Sequence, residues 1–245
     1  VAEREGFAVA YPDGTDGGLG FRTWNQGGKR SGLACPYACE QEVDDVAYVR
    51  ALLDEIARVA SVDPKRVYAT GFSNGAGMSH RLACELSDRI AAIAPVGGAN
   101  QFALVEACEP VRPVPVLQIH GTADPCWPYE GGSGDCVASV RGSYAGVEAS
   151  TVGTEAEPGW AVRNGCSLAD PELLSLPDLD GDGRAPTERR FQQCEAEVVL
   201  LSVDGAGHTW PGGDPYLAER RIGRLSLDFD ASERVWTFLR DKRLP

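Results

Sequence analysis

Long apolar runs are missing from this 245-residue chain. None exceeds a handful of residues, whereas a membrane-spanning helix needs roughly 18–20, so no membrane partner is expected. Cations are also in short supply. Lys and Arg number 23 against 36 Asp and Glu, a formal charge of −13. Nucleic acid and anionic lipid are poor partners for such a surface, because phosphate binding needs clustered positive charge. Methionine occurs once, at Met78, and the chain begins at Val1 with neither a basic stretch nor an apolar leader behind it. Any export signal is therefore expected to have been removed already. Only three histidines are present, and no two cysteines stand in C-x-x-C spacing, which argues against a zinc site. The eight cysteines then read as a disulfide framework in an oxidising compartment. The expectation is a secreted protein, extracellular or periplasmic, monomeric and free of metal or other cofactor. With 43% hydrophobic and 24% charged residues, the composition is globular, and the length suits one α/β domain over 1–245.

Short apolar runs alternate with helical periodicity. Strands are expected at 7–11, 67–70, 90–94, 114–120 and 197–203, and helices over 41–60, after Gly75 through Leu82 and Leu86, and after Asp230. Asp230 with Glu233 three residues on has the form of a capping box. Residues 15–40 and a Gly- and Pro-rich excursion at about 125–192 read as loops. Apolar strands alternating with helices point to a mostly parallel sheet covered on both faces.

Within that frame, Gly71-Phe72-Ser73-Asn74-Gly75 fits G-x-S-x-G between an expected strand and an expected helix. A nucleophile on such a sharp turn is exposed beside a helix N-terminus, whose N–H groups favour a developing oxyanion. Chance alone produces about 0.2 matches to this pattern in a chain of this composition, so the context matters more than the pattern. The serine needs a base. His80 lies seven residues along the same helix, roughly 10 Å away at 1.5 Å per residue, and cannot reach Ser73. His120 ends a strand and reads as a brace for the turn at Asp124. His208, in a Gly-rich loop after the last strand, is the candidate base. Asp124 falls between nucleophile and histidine in the chain order of this architecture and is the candidate acid. Asp135 and Asp204 are the alternatives, more simply read as solvated loop carboxylates.

Three blocks carry a resemblance: Gly71-Phe-Ser-Asn-Gly-Ala-Gly-Met78, His120-Gly-Thr-Ala-Asp-Pro125 and Gly207-His-Thr-Trp-Pro-Gly-Gly213. They resemble the signatures of the esterase family that unites polyhydroxybutyrate depolymerases and feruloyl esterases. Tyr11-Pro-Asp-Gly14, Trp24-Asn25, Arg81-Leu-Ala-Cys84 and Arg163-Asn-Gly-Cys166 extend the similarity over nearly the whole chain. The resemblance implies an α/β-hydrolase fold, secretion, and metal-free ester hydrolysis through an acyl-enzyme, with Ser73, Asp124 and His208 as the triad. It also implies a departure at the front. Members of the family carry an earlier Leu-His-Gly-type segment that supplies a second oxyanion N–H, on a strand between those matching 7–11 and 67–70. Asn74 N–H can serve as one donor and the other has no candidate, so a chain truncated at its N-terminus is expected.

Other signals are weaker. Asp178-Leu-Asp-Gly-Asp182-Gly183 resembles the opening of a calcium loop, but Arg189 stands where a bidentate Glu should, and a solvated acidic turn is the favoured reading. Trp127, Trp160 and Trp210 fall in expected loops and are candidates for lining the substrate pocket, with packing against the loops explaining them almost as well. Proximity in the sequence suggests the pairs Cys35–Cys39, Cys84–Cys108, Cys126–Cys136 and Cys166–Cys194, the last also by the family likeness. The leading expectation is a secreted serine esterase acting on hydroxycinnamoyl or acetyl esters of plant polysaccharide. A polyhydroxybutyrate or other polyester depolymerase is the near alternative. A non-catalytic fragment or pseudoenzyme lacking the oxyanion hole is the rival of another class, and a cytosolic thioesterase or peptidase is disfavoured by the cysteines.

Overall fold

The computed structural model describes residues 1–17, 22–27, 37–134, 143–144 and 146–245. Its centre is a six-stranded sheet of β1 (Tyr68–Phe72), β2 (Ala92–Val96), β3 (Val116–Gly121), β4 (Ser167–Ser175), β5 (Thr187–Gln192) and β6 (Val198–Val203), in the order β1-β2-β3-β6-β5-β4. The four strands from β1 to β6 run parallel, and β5 and β4 add on antiparallel. The main helices are α1 (Asp45–Val59), α2 (Asn74–Glu85) and, after three short ones, α6 (Ala231–Leu239). The short ones are α3 (Val147–Thr151), α4 (Trp160–Arg163) and α5 (Glu219–Ile222). The expected α/β class, mostly parallel with helices on both faces, is borne out.

Alternation along the strands divides the core in two. Ile93, Val116 and Val198 face one side, where Met78, Leu82 and Ala83 of α2 pack with Val49 of α1. Ala92, Ala94, Leu117, Ile119, Val199 and Leu201 face the other, against Val235 and Leu239 of α6. Ile93, Ile119 and Leu201 are fully buried, and each such side chain contributes about 1.5–3 kcal/mol. The helices start where their caps require. The Asp44 carboxylate accepts from Ala47 N at 3.0 Å, and Asp230 accepts from Ser232 N and Glu233 N at 2.7 and 3.3 Å. The capping box is only half formed, because the Glu233 carboxylate pairs with Arg4 instead.

Two expectations fail. Residues 7–11 form no strand; Val9 and Tyr11 lie exposed, and Phe7 stacks on Trp236 at 3.9 Å. An apolar run becomes a strand only beside a partner, and the outer edge of β1 has no neighbouring strand among the described residues. The excursion at 125–192 is also more ordered than expected. It contributes β4 and β5 to the sheet, and Trp160 opens α4. β4 is the sheet's edge, mostly solvent-facing, with its register broken between Ser167 and Glu172, where Pro171 sits. Proline and exposed polar residues are tolerated on an edge strand and erase the apolar alternation that marks an inner one.

Cys84–Cys108 and Cys166–Cys194 are disulfides as expected, closing separations of 24 and 28 residues. Loops of that size correspond to about 3 kcal/mol each in the chain-entropy view. Cys35 and Cys136, the partners expected for Cys39 and Cys126, lie outside the described residues.

Burial fixes the charge state of two histidines. His80 is completely enclosed, and desolvation pushes its imidazole down from the usual 6.5 to about 3; desolvation also lowers that of His120. The unfolded chain takes up these protons below pH of about 6.5 while the native state refuses them, so stability falls as the pH drops from there toward 3, by roughly 1.4 kcal/mol per pH unit for His80. Thermal unfolding at pH 5 is expected at a lower temperature than at pH 7. His80→Gln should flatten that dependence; an unchanged slope would place its source elsewhere.

Candidate active site

Ser73 stands between the end of β1 and the start of α2 with φ 58° and ψ −117°. Positive φ is strained for a residue with a Cβ, at about 1–3 kcal/mol. The surroundings hold it there. Ser73 N donates to Val96 O at 3.0 Å, and Ser73 O accepts from Ala76 N and Gly77 N. Gly71 is required by close approach, since a Cβ there would lie 2.5 Å from the Gly75 backbone. Asn74 follows as the first helical residue. First-turn N–H groups have no partner within their helix, so that of Asn74 is available beside Ser73. Its side chain is engaged: Oδ1 accepts from Trp24 N at 2.6 Å and Nδ2 donates to Trp24 O at 3.0 Å. Arg81 adds a bond to Asn25 O at 2.6 Å, tying the 22–27 segment onto α2.

The candidate acid and base leave neighbouring parallel strands. β3 and β6 pair in register up to Gly121 opposite Val203, so the loops after them emerge side by side. Gly121 lets them touch, because a Cβ there would collide with the carbonyls of Ala206 and Gly207. Asp124 and His208 are both buried, and His208 Nδ1 lies 2.8 Å from Asp124 Oδ2. The other carboxylate oxygen accepts from Cys126 N at 2.7 Å and Trp127 N at 2.8 Å. Both oxygens of Asp124 are thus used to hold it still and aim it at the histidine. Phe72, the neighbour of Ser73, packs its ring on His208 at 4.5 Å between centroids. Ser73 and His208 line one open groove of about 2430 Å³ that runs along the free side of β1.

The remaining candidates sort clearly. His120 Nε2 contacts Trp127 O at 2.8 Å and Asp124 Oδ2 at 3.4 Å, bracing the turn as expected. Trp127 and Trp210 border the groove. Trp160 does not. It is fully buried in the core, and its Nε1 donates to His80 Nδ1 at 2.9 Å, which removes it from the pocket and gives His80 its partner. Asp204 accepts from Thr122 at 3.2 Å and makes no contact with His208; Asp135 lies outside the described residues. Oxygens of Asp178, Asp180 and Asp182 gather within 4.8 Å of one another, and Arg224 bridges Asp180 and Asp182 at 3.0 and 2.7 Å, so a side-chain cation already neutralises part of that loop. Asp124, Cys126 and His208 also lie close enough to share an ion, but the Cys126 sulfur is in a disulfide. Phe72 and Tyr216, both touching His208, were not foreseen; no spacing pattern links an aromatic before the serine to one eight residues past the histidine.

Residues 1–192 match the family described as Esterase PHB depolymerase. The chain belongs to this esterase family. Ser73 and Asp124 fall inside the matched stretch and His208 beyond it. Feruloyl esterase B of Piromyces equi is 33% identical over 212 residues, 85% of this chain and 35% of its own length. NocK of Nocardia uniformis subsp. tsuyamanensis, an esterase by name, is 34% identical over 98% of this chain and 67% of its own. The bifunctional acetylxylan esterase/xylanase XynS20E of Neocallimastix patriciarum is 33% identical over 53% of this chain and 16% of its own. The chain therefore spans about a third of one of these relatives and two thirds of another. Among the described residues, no helix is long and apolar enough to cross a membrane.

Proposed function

We propose that this family member is a secreted serine esterase acting on feruloyl or acetyl esters. The observation that carries the reading is the buried Asp124–His208 pair at 2.8 Å, whose histidine lines the same groove as a strained Ser73 at a helix N-terminus. In this mechanism Ser73 Oγ attacks the ester carbonyl while His208 Nε2 takes its proton. Asp124 keeps the other ring nitrogen protonated and stabilises the imidazolium. Negative charge on the carbonyl oxygen is met by Asn74 N–H and the positive end of α2. His208 then protonates the leaving alcohol, and water repeats the cycle on the acyl-enzyme. The disulfides Cys84–Cys108 and Cys166–Cys194 support an oxidising compartment, and the relatives named for feruloyl and acetylxylan esters support the substrate class.

The family description favours a second substrate, a polyhydroxybutyrate-type polyester. A panel of methyl ferulate, acetylated xylo-oligosaccharide and a 3-hydroxybutyrate oligomer separates the two, with a fluorophosphonate probe reporting the serine. Labelling confined to Ser73 and turnover of the ferulate or acetyl ester are expected. Turnover of the hydroxybutyrate oligomer alone would move the assignment to polyester. No labelling and no turnover would favour a binding protein that keeps the triad residues without the chemistry.

A further inference from the structure

Tyr216 lies in the loop between His208 and α5, eight residues past the histidine. Its ring meets that of His208 edge-on at 6.4 Å and 74°, and that of Phe72 at 5.6 Å and 75°. The side chain is nonetheless 52% exposed, and Leu217 beside it is 40% exposed. Both border the same groove as Ser73. The Tyr216 hydroxyl has no hydrogen-bond partner among the described residues, and partial burial, reinforced by the charge on Asp124, pushes its pKa up to about 12. The phenol therefore stays neutral at every pH where a histidine base works, able both to donate and to accept a hydrogen bond.

An aromatic ring left half in water at this place is not explained by packing alone. Two of its contacts are used to hold it against the histidine and the residue before the serine, and the rest of its surface remains for a ligand. Rings pair edge-to-face or offset, at a gain beyond the area they bury. We propose that Tyr216 is a specificity-determining residue that selects esters carrying a planar aromatic ring, with its hydroxyl free to bond a polar substituent on that ring. This rests on the esterase reading above. The ring could belong to the acyl group or to the leaving alcohol, and the test distinguishes them.

The kinetic arms are methyl ferulate, with the ring on the acyl side, and phenyl acetate, with it on the alcohol side, each compared with methyl butyrate. Tyr216→Ala should lower the kcat/KM ratio of aromatic to aliphatic ester about fivefold in one arm, the size expected of one aromatic pair. That arm names the side. With the ring on the acyl side, Tyr216→Phe should keep the ratio of methyl cinnamate to methyl butyrate and lose only the preference for methyl ferulate over methyl cinnamate. A ring that merely shields His208 would lower all three esters equally, and that result would overturn the proposal. Binding of ferulic acid and of phenol to Ser73→Ala, against Ser73→Ala/Tyr216→Ala, decides the matter even without turnover. Weaker binding of either in the double variant is expected, and equal binding of both would sink the idea. An inactive parent chain whose Ser73→Ala form still binds through Tyr216 would count against the esterase, not against this ring.

Discussion

Ester hydrolysis by the full chain is expected to fall on the order of 10⁴–10⁶-fold when Ser73 is replaced by alanine. In the proposed mechanism the loss is large because the Ser73 hydroxyl oxygen is the atom that forms the acyl-enzyme, and no neighbour can substitute for it. His80, on the same helix, is enclosed in the core and bonded to Trp160. The substitution should also relieve little strain, since an alanine would occupy the same positive-φ position as Ser73, and folding should be retained. His208→Ala should cost about as much, and the double variant hardly more than either single one, because groups that act as a unit are not additive. Single-turnover kinetics on an activated ester would check this. Additive losses would mean that serine and histidine do not work in one step.

Asp124→Asn should reduce kcat about 10⁴-fold while leaving the fold and KM nearly unchanged. The amide can still accept from Cys126 N and Trp127 N through Oδ1, so the turn keeps its shape. What changes is the group facing His208 Nδ1. A carboxylate accepts the Nδ1 proton, whereas an amide can present its NH₂ there and favour the tautomer that leaves Nε2 protonated, unable to take the serine proton. The negative charge that stabilises the imidazolium is lost as well. Asp204→Asn is the control. Asp204 hydrogen-bonds Thr122 and does not touch His208, so its variant should hydrolyse esters within about twofold of the parent, as surface substitutions do. Equal, large losses in both variants would break the assignment of the acid.

The candidate site was legible in local chemistry before any fold was known. Gly71 and Ser73 announce a turn that only a small residue permits, and the structure realises it with Gly71 against the Gly75 backbone and Ser73 at positive φ. His208 and Asp124 could be picked because each follows an inner strand, where loops of a parallel sheet converge. Trp160 was misplaced for the opposite reason. Nothing near it in sequence distinguishes a tryptophan lining a pocket from one in the core; its partner, His80, is 80 residues away. β4 and β5 were hidden because an edge strand with Pro171 and exposed charges lacks the alternation that marks buried strands. Residues 7–11 erred the other way, their apolar pattern being sufficient for a strand but meeting no strand to pair with among the described residues.

By itself, the sequence determined the class of fold, the mostly parallel order of the inner strands, and the three residues on which the proposed chemistry depends. Those features are written in short-range patterns: periodicity, turn residues, and the identity of side chains at strand ends. Tertiary structure alone decided which tryptophans border the groove. It also brought Tyr216 and Phe72 onto the imidazole face and set Arg224 among the aspartates of the acidic loop. Each of these is a contact between residues far apart in the chain. Such contacts are chosen by the packing of whole elements, which no local pattern encodes.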